Sequence, residues 1–210
     1  ETYSQWIKHE TPFNSPAVLA AFNEFATFLR TPDYVKGGVE GAIATNYGES
    51  STGLFSNPPD CYMHRQGNFI TSFFPENQIP RVDYDVFLLP PIDPRFGTPL
   101  LISGEAIVMF NYTPESKALI EYLLTPTPHE IWAGLGGFIS PQKDIAPEAY
   151  PDLVTQNIAQ ILADAEVIRF DGSDLMPGYV GSEVFWDGIM TLAEGESAEA
   201  VAQTIDNSWP

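Results

Sequence analysis

The sequence predicts an α/β fold with a mainly parallel sheet covered by helices on both faces. Two observations lead there: short apolar runs closed by Pro or Gly, and their alternation with amphipathic stretches that open on a capping residue followed by proline. Ser15-Pro16 is the first such pair, and Val18, Leu19, Phe22, Phe25 and Leu29 then recur at helical spacing. That helix is expected over residues 16–30, stopping before Pro32 because the residue ahead of a proline disfavours the helical region. Gly37-Gly38 and Asn57-Pro58-Pro59-Asp60 read as loops, while residues 45–55 fit neither period.

Residues 61–64 read as a short strand ended by the turn Gln66-Gly67-Asn68. Val86-Phe87-Leu88-Leu89, closed by Pro90-Pro91, has the unbroken apolar pattern of a strand buried on both faces. After a loop through Asp93 and Gly97, residues 100–110 form another apolar segment, interrupted at Gly104-Glu105. Thr113-Pro114 and Thr127-Pro128 each start a helix, the second reinforced by Glu130 as a capping box, and the glycines of 134–137 end the pair. A further helix is expected over 152–163 with Leu153, Ile158, Ile161 and Leu162 inward. Two more follow over 182–193 and 197–205, the last capped by Ser197.

Nine basic against 28 acidic residues give a formal net charge of −19, which repels phosphate backbones and anionic headgroups and argues against nucleic-acid or membrane-surface binding. Hydrophobic residues at 44% suffice for a packed core. The single cysteine, Cys61, excludes an internal disulfide and reads as a small apolar residue or as the partner of a cysteine elsewhere. The start at Glu1, without an initiator methionine, reads as processed or truncated. The three histidines, His9, His64 and His129, have no metal-site spacing, and no nucleophile-elbow, zinc-protease or phosphate-loop motif is present. No cofactor is expected. Glu105 stands out because a carboxylate inside an apolar segment is costly unless paired or bound to ligand hydroxyls; a strand end facing solvent is the alternative.

Four stretches carry a resemblance: residues 61–69 (CYMHRQGNF); residues 86–92 (VFLLPPI) with 104–108 (GEAIV); Tyr122-Leu123-Leu124-Thr125 with Trp132 and 136–141 (GGFISP); and Asp174-Leu175-Met176-Pro177 with Phe185-Trp186 ahead of the terminal 205–210. In this order and spacing the chain resembles the C-terminal half of the family-1 extracellular solute-binding proteins of ABC importers, in the branch that binds maltose and α-glucosides. The resemblance implies a periplasmic-binding-protein-like, type II two-lobe fold. Residues 1–95 and 143–210 would build the C-lobe, and 96–142 would cross a hinge and contribute to the N-lobe. It also implies a monomer that is periplasmic or extracellular, free or lipid-anchored, and hands carbohydrate to membrane permease subunits without catalysing a reaction.

By the same resemblance Phe69 and Trp186 face the sugar, where flat apolar rings stack on C–H faces; ordinary core packing is the alternative for each. Asp174 is a hydroxyl acceptor or a helix cap. Met176 packs on a sugar edge or in the core, and Arg65 donates to hydroxyls or pairs with a surface acid. Three rival readings stay open: a receptor for a peptide, polyamine or anion; a glycoside-active enzyme built on paired carboxylates; and an interaction domain without a small ligand.

Overall fold

A computed structural model of the chain describes residues 2–210; Glu1, and with it the reading of its start, lies outside the described residues. Eight α-helices are described: α1 (Thr2–Trp6), α2 (Pro16–Arg30), α3 (Gly38–Ala44), α4 (Pro114–Leu123), α5 (Pro126–Leu135), α6 (Leu153–Asp164), α7 (Phe185–Glu194) and α8 (Ala198–Asn207). Two three-residue strands, β1 (Leu100–Ile102) and β2 (Ile168–Phe170), complete the regular structure together with short 3₁₀ turns. The chain divides into two compact units, one of residues 1–46 with 169–210 and one of residues 47–168.

The first unit is helical. Ser15 takes an extended backbone ahead of Pro16 and α2 stops at Arg30, as its sequence predicts. Its buried positions are Val18, Phe22 and Ala26, whereas Phe25 is exposed. Leu19 and Leu29 are half-buried, so of the expected inward positions Phe25 alone turns outward, with Ala26 in its place. Phe13, Leu192 and Ile205 are fully buried with Val180, Val201 and Ala202, so the core sits between α2, α7 and α8. Phe185 packs inward, its ring 6.0 Å from Phe13 and 6.1 Å from Trp6. Ser197 caps α8 as expected, its hydroxyl accepting from the Ala200 amide at 3.2 Å. Arg30 ties the two ends of this unit together: its guanidinium donates to the carbonyls of Leu192 and Ala193 at the end of α7 and of Glu196 beyond it. A cation there satisfies carbonyls left open at a helix C-terminus.

The second unit has a smaller core of Ala133, Ile145 and Tyr150, with Phe138, Ile139, Ala149 and Ala159 against it. A separate aromatic cluster joins Phe55, Phe74 and Tyr84, with near-perpendicular rings 4.8 to 6.3 Å apart. Thr113 caps α4, accepting from the Ser116 amide at 3.1 Å. Helix α5 starts two residues earlier than expected, on Thr125-Pro126 and not Thr127-Pro128, so Glu130 is not the third residue of a capping box. Both prolines suit a first turn, where a missing N–H leaves no bond unmade, and the sequence does not choose between them. Gly136 ends α5 with φ 82° and Gly137 follows with φ 71°, the left-handed region that glycine enters without penalty. Asp152 caps α6 by accepting from the Val154 and Thr155 amides at 2.8 and 2.9 Å. Val154 is buried there, and Leu153, expected inward, is exposed.

The expected parallel sheet is not found among the described residues. Residues 61–64 and 86–89 are not strands, and Tyr62, Met63, Phe87 and Leu89 stand exposed. Of the apolar segment 100–110, only β1 is extended and paired, the Leu100 amide donating to the Val167 carbonyl at 2.9 Å. An apolar run becomes a strand only when a neighbour accepts its backbone bonds, and periodicity cannot report whether that neighbour exists. The result is a mainly helical chain with little sheet. Among the described residues no helix is long and apolar enough to cross a membrane.

Candidate ligand-binding site

The candidate residues fall three in each unit. In the first, Asp174 and Met176 line one recess of about 240 Å³ together with Ser173, Gly178, Gly181 and Ser182. The recess is built by close backbone approach. A Cβ at Gly181 would lie 2.0 Å from the Ser173 carbonyl oxygen, so only glycine lets these turns meet. Asp171 shapes the entry, its carboxylate accepting from the Ser173 amide at 3.0 Å and the Ser173 hydroxyl at 2.7 Å. Met176 is 6% exposed and belongs to the hydrophobic core as well as to the recess wall.

Behind the recess the chain makes a π-helical turn, Val180–Val184, that runs directly into α7. Such turns are rare and concentrate at functional positions. The turn carries Phe185 into the core and leaves Trp186 61% exposed. Ser182, which lines the recess, and Trp186 lie four residues apart on this continuous helical stretch.

In the second unit, Phe69 stands 41% exposed at the start of a 3₁₀ turn, Asn68–Phe73, and Asn68 anchors that turn by donating from Nδ2 to the Gly137 carbonyl at 2.9 Å. Arg65 is exposed in the segment before it. Glu105 is exposed too, in a stretch where Ile107, Val108 and Phe110 are likewise exposed. The desolvation argument that singled out Glu105 therefore does not operate in this structure. The sequence reading passes over Tyr47 and Phe73, whose exposed rings adjoin Phe69. Their only signal was a pair of aromatics beside Gly and Ser, in and just after segments of no clear period.

The histidines are each engaged. His129 Nε2 lies 3.0 Å from the Leu123 carbonyl, so it carries the proton, and Nδ1 accepts from the Ser140 hydroxyl at 2.9 Å. His64 Nε2 lies 3.2 Å from the Ser50 hydroxyl, and burial pushes its pKa below the ordinary imidazole value. Cys61 is a half-buried free thiol. Among the described residues no group of three or more His, Cys, Asp and Glu is placed to hold a metal. The arrangement offers exposed aromatic faces and short polar side chains, the equipment for hydrogen-bonding and stacking on a polar small molecule.

No family profile and no solved structure matches the chain. Two curated proteins do. The osmoprotective compounds-binding protein GgtB of Synechocystis sp. is 46% identical over 209 residues, covering all of this chain and 49% of that protein. The alpha-glucosides-binding periplasmic protein AglE of Rhizobium meliloti is 39% identical over 211 residues, again covering all of this chain and 46% of that protein. The chain spans about half the length of both relatives, and both are named as binding proteins and not as enzymes. Along its whole length this chain is a homologue of solute-binding proteins, the group that its motifs resemble.

Proposed function

We propose that the chain is part of a carbohydrate receptor, specific for an α-glucoside, that presents its ligand to the membrane permease of an ABC importer and catalyses nothing. The observation that carries this reading is the 39% identity, over the entire chain, to a protein named for binding alpha-glucosides. The exposed indole of Trp186, four residues along the chain from Ser182 in the wall of the Asp174 recess, supports it, because a pyranose needs a flat apolar surface as well as hydrogen-bonding groups. Phe69 would supply a second stacking face, Asp174 and Glu105 would accept from sugar hydroxyls, Arg65 would donate to them, and Met176 would close the recess from the core side.

In this reading the protein is periplasmic or extracellular and has a type II two-lobe fold, with residues 1–95 and 143–210 in one lobe and 96–142 reaching the other. The ligand closes the lobes by touching both, since contact with one alone gives no preference for the closed state. Hinges would lie near residues 90–104 and 136–144.

A second reading follows from the 46% identity to a protein named for osmoprotective compounds: the ligand would be a small osmoprotective solute that need not be a sugar. One titration separates the two. Intrinsic tryptophan fluorescence of the intact protein that contains this chain is followed with maltose, trehalose and sucrose, and with betaine and spermidine as non-sugar solutes. A saturable response to an α-glucoside supports the first reading. Silence to all three sugars by folded protein refutes it, and a response to betaine alone establishes the second.

A further inference from the structure

We infer that Tyr47 is a specificity-determining residue of the sugar site, its phenol hydroxyl bonding a sugar hydroxyl beside the pyranose face received by Phe69; this rests on the sugar-binding reading above. The basis is an exposed surface of three rings drawn from two separate segments. Tyr47 is 58% and Phe73 46% exposed, alongside Phe69. The Tyr47 ring lies 6.1 Å from Phe69 at 77° and 5.6 Å from Phe73 at 78°, so both phenylalanines meet it almost perpendicularly. A perpendicular contact is a favoured aromatic geometry that covers only part of each ring and leaves the rest to solvent.

The surface is held from behind on both sides. The Ser50 hydroxyl donates to the Tyr47 carbonyl at 2.5 Å and also meets His64, which pins the turn carrying Tyr47. On the other side, a Cβ at Gly67 would come within 2.9 Å of the Phe69 ring, so that ring folds over its own turn because residue 67 has no side chain. Exposed aromatic rings fixed in place at this many points offer a stacking surface at low entropic cost. Tyr47 adds to it the one hydroxyl, a group that both donates and accepts, as sugar hydroxyls do.

The test is isothermal titration calorimetry of the intact protein with maltose and with trehalose, for the wild type, Tyr47→Phe and Phe69→Leu. Tyr47→Phe keeps the ring and its edge contacts. It is expected to leave the melting temperature unchanged, to raise Kd for one of the sugars by about 3- to 10-fold, and so to change the ratio of the two constants. Phe69→Leu is expected to weaken both. Unchanged binding in either variant, or an equal rise for both sugars in Tyr47→Phe, overturns the inference and leaves the sugar reading standing. A wild type that binds neither sugar overturns the sugar reading and the inference with it.

Discussion

His9 and Asp206 meet at 2.8 Å although 197 positions separate them in the chain, and the same carboxylate accepts from the amides of Phe13 at 2.7 Å and Asn14 at 3.0 Å. The His9 ring also stacks on Trp209, centroids 4.5 Å apart at 19°. One side chain at the end of α8 thus satisfies the backbone donors that lead into α2. Replacing it strands a fully buried residue's amide, that of Phe13, without its acceptor.

Asp206→Ala is accordingly expected to destabilise the first unit by about 2–4 kcal/mol, since several bonds to one charged acceptor are lost together. Asp206→Asn, which retains one acceptor oxygen, is expected to cost less. Urea unfolding of both variants checks the order; equal stability of Asp206→Ala and wild type would remove the clamp from the account.

Gly181→Ala places a methyl group 2.0 Å from the Ser173 carbonyl, a backbone atom that cannot swing away. The expected cost is about 1–3 kcal/mol or more, the range for forced overpacking. Because Ser173 and Gly181 both line the recess, ligand affinity is expected to fall as well. Thermal melting with and without ligand measures the two effects separately.

His64 makes stability depend on pH. Burial lowers its folded pKa, so the unfolded chain takes up the proton first as pH falls. Its contribution is fully present above the unfolded imidazole value of about 6.5 and is progressively lost as pH falls from there toward the lower folded value. His64→Gln retains a polar partner for Ser50 and cannot titrate. Melting temperatures between about pH 7.5 and 5.5 are expected to fall more steeply for wild type than for this variant; identical slopes would contradict the assignment.

Trp186→Ala removes the exposed indole proposed to stack on the ligand. Binding is expected to weaken by about 1–3 kcal/mol while stability changes little, because the ring is mostly outside the core. Calorimetric titration of the variant measures it; an unchanged Kd would exclude Trp186 from the site.

Much of the helical structure was legible because its signals are local. Ser15-Pro16, Thr113-Pro114, Asp152 and Ser197 all start helices where the sequence places them, and Gly136-Gly137 ends one. Capping satisfies amides within three residues, so its information is carried by neighbours in the chain. The short helices α1 and α3 went unread because five and seven residues give too little periodicity to register. Asp174 and Met176, two positions apart in the chain, line one recess, while Tyr47 beside Phe69 went unread, since those residues meet through a fold of the chain.

By itself, then, the sequence determined the starts of α2, α4, α6 and α8, the net negative charge and the candidate aromatic and polar residues, all of them properties of single residues or of neighbours along the chain. Only the tertiary structure decided which apolar runs find a partner. It left Phe87, Leu88 and Leu89 exposed, paired Leu100 with Val167, turned Phe185 inward and Trp186 outward, and brought Gly181 against Ser173. Those outcomes depend on backbone and side-chain contacts between distant segments, whose closure no local pattern encodes.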